Sequence, residues 1–138
     1  MFSLVNFSFP LLIIPLFGST HAIRDNLFTC LRPGTRFVYV GSSAQYGRVP
    51  LEFQPVKEET TFNPVTNYGV FKSFEELEIK RLSEKFNIDT LIGRIFNLTG
   101  PSEPDRMVGG AFVSQLIRGD TLKVGNLFPK RDFVDIRD

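Results

Sequence analysis

Two short apolar runs, separated by a long amphipathic segment, most constrain the fold of this chain. The runs span residues 36–40 and 89–96, and both are rich in β-branched or aromatic side chains. A nearly continuous apolar run is typical of a strand that is buried on both faces of a parallel sheet. The segment between them predicts a helix over residues 68–86, with Thr66 or Asn67 as its N-terminal cap. A strand, a helix and a strand in this order predict parallel βαβ units and an α/β fold.

Weaker signals predict further elements on either side of this unit. Residues 23–31 are expected to be the end of a helix, because Arg32-Pro33-Gly34 stops it. Another helix is expected over 107–118, ending at Gly119, and a short strand over 121–124.

The long helix at 68–86 is expected to bury a loose apolar face, made of Phe71, Phe74, Leu77, Leu82 and Phe86. The proline-rich stretch 48–66 predicts an irregular connection.

Composition narrows the classes of function. The 138 residues are 42% hydrophobic and 22% charged, which is typical of one modest globular domain and not of a disordered chain. A net charge of +1 provides no basic field for nucleic acid, so no nucleic-acid partner is expected. A single cysteine, Cys30, excludes an internal disulfide framework. With His21 as the only histidine, most zinc sites are excluded, and no metal is expected.

Residues 1–22 form an apolar leader whose status the sequence leaves open. The apolar run at 9–17 is shorter than the roughly 20 residues that a membrane-spanning helix needs, so no stable membrane span is expected. A signal peptide is one interpretation, but no lysine or arginine precedes the run, and Pro10 and Pro15 interrupt it. The other interpretation is a buried or non-native leader joined to a domain that starts later. We therefore expect a cytoplasmic protein and keep a small secreted or membrane-anchored protein as an alternative.

Three groups of polar residues suggest chemistry. Tyr68 and Lys72 are four residues apart on the predicted helix and so share one face, where an ammonium would favour phenolate over phenol and make the tyrosine a usable proton donor or acceptor. Ser42 follows the first buried strand, at the edge where open α/β sheets bind ligands. Arg131, in a charged turn with Asp132, could grip a diphosphate with two parallel hydrogen bonds. Each group alone is more often an ordinary surface feature.

Taken together, the order and spacing of these motifs resemble the extended short-chain dehydrogenase/reductase family, in its nucleotide-sugar epimerase, dehydratase and reductase branch. The resemblance rests on RFVYVGSSAQYG at 36–47, NYGVFK at 67–72, GRIFNLTGP at 93–101 and LKVGNLFPKRDFVDIRD at 122–138. The last two stretches look most like enzymes that act on GDP-linked 4-keto-6-deoxy sugars. The fold that this resemblance implies is a Rossmann-like, doubly wound parallel sheet, here incomplete.

The resemblance also implies roles for individual residues. It implies NAD or NADP as the cofactor, a nucleotide sugar as the substrate, with a GDP-linked sugar favoured, and the catalytic residues Ser42, Tyr68 and Lys72. Tyr68 would move a proton at the sugar oxygen, while Lys72 would hold the nicotinamide ribose. The cofactor-binding positions would be Ser42, Tyr68, Lys72, Ile95 and Phe96. The substrate-binding positions would be Ser43, Asn97, Val124, Gly125 and Arg131.

The chain departs from the family pattern in two ways. Ser43 and Ala44 stand where the 4,6-dehydratases of this branch carry acidic residues, which favours reduction or epimerisation over dehydration. The glycine-rich turn that seats the cofactor pyrophosphate is absent. We therefore expect a fragment, with residues 23–100 forming the second half of the dinucleotide-binding domain and residues 101–138 the start of the substrate region. The family often dimerises through the helix that carries Tyr68 and Lys72, and a homodimer is compatible with this sequence. The alternative is an inactive remnant or interaction module.

Overall fold

The structure is a computed structural model that describes residues 11–12, 21–32, 34–119 and 121–138. The chain divides into two compact units, of which the first ends at Ile95 and the second spans Phe96–Asp138. The assignment of residues 1–22, 23–100 and 101–138 to a leader, a cofactor segment and a substrate segment stays a prediction. No helix in the described part of the chain is long and apolar enough to cross a membrane.

The first unit is built around a parallel sheet. Its elements are, in chain order, β1 (Leu11–Leu12), α1 (His21–Cys30), β2 (Arg36–Ser42), two 3-10 turns (Ser43–Gln45 and Leu51–Phe53), α2 (Asn67–Phe86) and β3 (Asp89–Ile95). The strands lie in the order β1-β2-β3, and β2 pairs with β3 from Arg36 opposite Asp89 to Ser42 opposite Ile95. Both predicted strands and the helix between them are confirmed. Part of the leader forms β1, which pairs with the start of β2.

The core lies between the sheet and both helices. Phe37 and Tyr39 project from the same face of β2 and are buried, together with Phe28 of α1 and Ile79 and Leu82 of α2. The rings of Phe28 and Phe37 lie with their centroids 5.0 Å apart. Because Phe28 and Leu82 both pack on this face, α1 and α2 cover the same side of the sheet.

The predicted apolar face of α2 is only partly correct. Leu82 is buried and Phe86 packs against the core, as expected. Phe74 and Leu77 are exposed, and the helix instead turns Ile79 and two glutamates, Glu75 and Glu76, towards the interior. The pattern misled because charged residues are normally placed outside, whereas these two carboxylates are buried with partners.

Both ends of α2 are capped by residues suited to the task. The Thr66 hydroxyl accepts a hydrogen bond of 3.0 Å from the Gly69 N–H, so Thr66 and not Asn67 is the N-terminal cap. Asn87 ends the helix in the left-handed conformation, with φ of 52°, which asparagine tolerates better than most residues. The helix therefore begins and ends within a residue of the prediction.

The second unit contains two short strands and one helix. β4 (Asn97–Thr99) pairs in parallel with β5 (Phe133–Asp135), and α3 (Val108–Arg118) lies between them in the chain. The predicted α3 is confirmed. The predicted strand at 121–124 is wrong, because the Gln115 side chain binds the N–H and the carbonyl of Lys123, at 2.8 and 3.3 Å, in place of a neighbouring strand.

Candidate active site

The loop after β2 is held by its own side chains. The Ser42 hydroxyl accepts a hydrogen bond of 3.2 Å from the Ala44 N–H, and the Ser42 N–H donates to the Gln45 side-chain oxygen at 2.8 Å. Gly41 leaves space for the Gln45 side chain to fold back onto the end of β2, because a Cβ at position 41 would lie 2.8 Å from the same Gln45 oxygen. Ser42 is half-buried, and its hydroxyl hydrogen remains for donation to another group.

The first turn of α2 packs directly against this loop. Gly69 has no side chain, and a Cβ there would collide with the Ala44 carbonyl oxygen and lie 3.0 Å from Pro64. The residue beside it, Tyr68, remains 46% exposed. The structure therefore brings the Ser42 loop next to the helical turn that carries Tyr68.

Lys72 reaches from α2 to the carboxyl half of β2. Its side chain is only 12% exposed, and its ammonium donates to the Val40 carbonyl at 3.0 Å and to the Glu75 carboxylate at 3.1 Å. The Tyr39 hydroxyl lies 3.4 Å from the same nitrogen, which also sits 4.9 Å from the centre of the Tyr39 ring. The Lys72 ammonium is thus held beside Val40, which precedes Ser42 by two residues in β2.

Glu75 and Tyr39 complete a buried cluster around this ammonium that the sequence analysis missed. The Tyr39 hydroxyl donates to the Glu75 carboxylate at 3.0 Å, and both side chains are buried. Burial, followed by the negative charge of Glu75, raises the pKa of Tyr39 well above its usual range. Tyr39 is therefore a hydrogen-bond donor at every physiological pH. An acidic residue three positions after Lys72 was the only available signal, and that spacing is common on helix surfaces.

A second buried cluster surrounds Glu76. Its carboxylate accepts two hydrogen bonds from Arg94, at 2.9 and 2.7 Å, and one of 2.8 Å from the Gln45 amide. Lys80 adds an ion pair of 2.8 Å. Because Gln45 also holds the Ser42 N–H, this cluster connects α2 and β3 to the Ser42 loop.

Arg94 extends the same cluster to the irregular connection. Its guanidinium donates to the Tyr46 hydroxyl and to the Glu58 carbonyl, both at 2.6 Å. It also lies 4.7 Å from the centre of the Phe62 ring, a cation–π distance. Most of the connection is irregular, as predicted, and these contacts hold it in place.

The charges in this second cluster stabilise each other. Burial opposes ionisation of Glu76, but hydrogen bonds from Arg94, Lys80 and Gln45 outweigh it and lower the pKa of Glu76 to about 2. The hydrogen bonds to Glu76 raise the pKa of Arg94 above its usual range, against the opposing effect of burial. Both groups are therefore ionised at neutral pH.

The second unit brings two of the predicted substrate-binding residues close in space. The Asn97 side-chain amide donates to the Asp132 carbonyl at 2.8 Å, and Arg131 precedes Asp132 on an exposed segment. Val124 and Gly125 follow Lys123, which Gln115 ties to α3, and both are exposed. Their contact with a substrate stays a prediction.

The remaining predicted residues lie at ends of elements. Ile95 is the last residue of β3, Phe96 is the exposed first residue of the second unit, and Ser43 begins the 3-10 turn after Ser42. Ile95 and Ser42 end neighbouring strands at the same edge of the sheet.

The second unit also contains a cavity of about 460 Å³ that the sequence did not predict. It is lined by the residues after β4, by the first turns of α3 and by the end of β5, including Glu103, Gly109, Ser114, Asp135 and Arg137. Arg137 is paired with Asp135 at 2.6 Å. None of the predicted substrate-binding residues lines this cavity.

Comparison with known proteins places this geometry in a family. The chain is 30% identical over 108 residues to GDP-6-deoxy-D-mannose reductase of Pseudomonas aeruginosa, covering 74% of this chain and 36% of that protein. It is 28% identical over 130 residues to human GDP-mannose 4,6 dehydratase, covering 86% of this chain and 33% of the relative. The chain thus spans about a third of the length of these curated relatives.

Solved structures give the same result. The structure of RMD from Pseudomonas aeruginosa complexed with NADPH superposes with a TM-score of 0.70 at 28% identity, covering 75% of this chain and 36% of that one. A UDP-N-acetylglucosamine 4-epimerase from Methanobrevibacter ruminantium, in complex with UDP-N-acetylmuramic acid, superposes with a TM-score of 0.66 at 29% identity, covering 74% and 34%. These likenesses confirm the α/β, Rossmann-like parallel sheet. Residues 15–138 match the NAD dependent epimerase/dehydratase family, and the chain belongs to that family.

Proposed function

We propose that this chain carries the proton-transfer part of a nucleotide-sugar reductase or epimerase that uses NAD or NADP and acts on a GDP-linked 4-keto-6-deoxy sugar. The observation that carries the proposal is the close packing of the Ser42 loop on Gly69. It sets a serine hydroxyl beside the helical turn that bears Tyr68, with Lys72 one turn further along.

The residues present fit the nicotinamide end of such a cofactor. Ser42 and Ile95 end neighbouring parallel strands, and open α/β sheets bind ligands beyond the carboxyl ends of their strands. Tyr68 is exposed enough to meet a ligand, and the Ser42 hydroxyl retains a hydrogen to donate. When bound, the nicotinamide would supply hydride transfer to or from a sugar carbon.

The chain's own residues would handle the proton. Tyr68 would give a proton to the sugar oxygen, or take one from it, as the hydride moves. Ser42 would donate a hydrogen bond to the same oxygen. Lys72 would supply a fixed positive charge beside the carboxyl half of β2, which would stabilise negative charge that develops on the Tyr68 oxygen as the proton moves.

Reduction or epimerisation is favoured over dehydration by the chemistry of the loop. Ser43 and Ala44 follow Ser42 in the chain and carry no carboxyl group. Removal of water from a sugar needs an acid and a base there, and the nearby carboxylates of Glu75 and Glu76 are buried in ion pairs. The preference for a GDP-linked sugar is supported by the reductase and dehydratase relatives, whose names specify GDP sugars.

The first test of this proposal is cofactor binding followed by turnover. NADH and NADPH would be titrated into the protein and into a version extended at its N-terminus, with nicotinamide fluorescence as the readout. Turnover of a GDP-linked 4-keto-6-deoxy sugar would then be followed at the nicotinamide absorbance band. A reductase consumes reduced cofactor in step with product, whereas an epimerase leaves the cofactor pool unchanged.

Variants of the site residues make the test specific. Tyr68→Phe should lower kcat by roughly 10²- to 10⁴-fold, because it removes the proton donor, and Ser42→Ala and Lys72→Met should lower it as well. Lys85→Met is the matched control, since it removes an exposed lysine from the same helix and should leave kcat unchanged. Cofactor binding by neither version would overturn the proposal and favour an inactive remnant or interaction module.

A homodimer through the helix that carries Tyr68 and Lys72 is part of the same proposal. Sedimentation velocity on the purified protein would decide between a monomer and a dimer.

A further inference from the structure

A buried carboxylate and a buried phenol surround the Lys72 ammonium in the first unit. Glu75 is fully buried and sits three residues after Lys72, so both side chains leave α2 on the same face. Tyr39 projects from β2 towards them and bonds Glu75 at 3.0 Å. The three groups therefore form one closed hydrogen-bonded cluster between a helix and a strand.

The cluster fixes the ammonium from three directions. Lys72 donates to Glu75 at 3.1 Å and to the Val40 carbonyl at 3.0 Å, while the Tyr39 hydroxyl lies at 3.4 Å. A lysine side chain carries four rotatable carbon bonds and is normally mobile. These three contacts hold the ammonium beside Val40, in the carboxyl half of β2.

The cluster also supplies the buried ammonium with a carboxylate partner. Burying an ammonium without a partner disfavours its charged form, and a carboxylate within hydrogen-bond distance restores it. The titratable groups that face the site are Glu75 and Tyr68 from α2 and Tyr39 from β2, with Glu76 acting on Tyr39 at longer range. Among the described residues, Glu75 is the carboxylate in direct contact with the ammonium.

We propose that Glu75, held by Tyr39, is a positioning residue that fixes the charged Lys72 for proton transfer at Tyr68. This inference rests on the proposed function for its catalytic meaning. Its structural part, that Glu75 holds the ammonium, stands on the contacts above. The two parts are tested by separate measurements.

The structural part is tested by nuclear magnetic resonance of the lysine ammonium groups. In ¹⁵N-lysine-labelled protein, a buried and hydrogen-bonded ammonium gives a cross-peak that is protected from solvent exchange, and Lys72→Arg assigns it. In Glu75→Gln, which keeps the shape but removes the charge, the protons of this cross-peak should exchange with solvent at least about 10-fold faster than in the native protein, because the ammonium loses a hydrogen bond to a charged group. Glu78→Gln is the matched control, because Glu78 pairs with Arg81 at the same spacing on the same helix but with an exposed guanidinium.

The catalytic part is tested by kinetics on the same variants. Glu75→Gln should lower kcat on the order of 10- to 100-fold, because a misplaced Lys72 no longer stabilises the negative charge that develops on the Tyr68 oxygen, while KM for the sugar stays unchanged. Glu75→Asp, which keeps the charge on a shorter side chain, should recover part of the lost kcat. Glu78→Gln should match the native protein in both kcat and KM.

Each outcome decides one part. A Lys72 cross-peak with the same exchange rate in Glu75→Gln and Glu78→Gln would overturn the inference. A changed cross-peak with native kcat would overturn the positioning role and leave a structural ion pair. If the native protein shows no turnover, the proposed function fails, and the cross-peak still decides whether Glu75 holds the lysine. If Glu75→Gln does not fold, Tyr39→Phe replaces it. This variant should broaden the Lys72 cross-peak and lower kcat by less than the roughly 10- to 100-fold expected for Glu75→Gln. An unchanged cross-peak in Tyr39→Phe would show that the cluster does not form.

Discussion

At the scale of single residues, the absence of a side chain at Gly69 allows two parts of the candidate site to pack together. Alanine has a higher helix propensity than glycine by about 1 kcal/mol, so a glycine at an exposed position of α2 would only destabilise the helix. Here the Ala44 carbonyl and Pro64 occupy the space that a Cβ would need. The glycine thus lets the Ser42 loop and the first turn of α2 approach each other.

We therefore expect Gly69→Ala to destabilise the protein despite the gain in helix propensity. The added methyl group must push the loop away from the helix, at a cost of roughly 1–3 kcal/mol, and separate Ser42 from Tyr68. Urea unfolding would measure the cost. Gly93→Ala is the control, because the nearest atom to a Cβ there is 3.7 Å away, and it should be neutral within about 0.5 kcal/mol. Equal stability of the two variants would contradict the tight contact.

Glu76 makes a residue-scale prediction about pH. Its pKa is lowered from its ordinary 4.5 to about 2 by its partners, so the folded state binds its proton less readily than the unfolded state. The stabilisation, about 3 kcal/mol, is fully present above pH 4.5 and is lost as pH falls towards 2. Glu76→Gln should therefore be less stable than the native protein at pH 7 and approach it near pH 2.

Denaturant unfolding from pH 7 to pH 2 would measure this difference. Glu84→Gln is the matched control, because it removes an exposed carboxylate from the same helix and should leave the pH dependence unchanged. A native protein whose stability falls no faster than that of Glu76→Gln over this range would show that the ion pairs of Glu76 do not form.

At the scale of elements, α2 illustrates a helix whose start is set by its cap. Thr66 has extended backbone angles and satisfies the Gly69 N–H with its hydroxyl. Thr66→Ala should cost about 1 kcal/mol of folding free energy and loosen the turn that carries Tyr68. Thermal unfolding measures this, with the exposed Thr61→Ala as a control that should change little. An equal shift for both would mean that the cap contributes nothing.

The long elements could be predicted from the sequence, and the short ones could not. β2, β3 and α2 follow from apolar runs and from helical spacing, which are local properties of the chain. β4 and β5 have three residues each and exist only because they pair with each other, a contact that no local pattern records. The strand predicted at 121–124 was wrong for the same reason, since its backbone at Lys123 binds the Gln115 side chain and not a neighbouring strand.

The candidate site shows the same division. Ser42 stood out because it follows a predicted strand, and Tyr68 and Lys72 because a spacing of four places them on one face of the predicted helix; the family resemblance then implied their catalytic roles. Glu75 and Tyr39 did not, because a hydrophobic pattern assigns a helical glutamate to the surface and a strand tyrosine to the apolar core. Only the packing of α2 on β2 shows that the two belong together. Buried polar pairs of this kind are invisible to spacing rules.

At the scale of the whole molecule, the two described helices of the first unit lie on one face of its sheet. Its strands are added in chain order, and right-handed crossovers in one direction place successive helices on the same face. The opposite face presents Val40 and Leu91, of which Leu91 is 57% exposed. Parallel sheets are usually buried on both faces, so the part of this face that the described residues form is an exposed apolar patch of the kind that promotes aggregation.

Leu91 and Ile92 are neighbours in β3 that point to opposite faces, which makes them a matched pair for testing this arrangement. Leu91→Lys should change the free energy of unfolding by less than about 0.5 kcal/mol and raise the concentration at which the protein starts to scatter light, because a charge then interrupts an exposed apolar patch. Ile92→Lys should cost roughly 2–4 kcal/mol, since Ile92 is partly buried against the core and its packing would be lost. Urea unfolding and light scattering measure both effects. If Leu91→Lys destabilised the protein as much as Ile92→Lys, the second face of the sheet would be buried in solution, and the one-sided cover would be wrong.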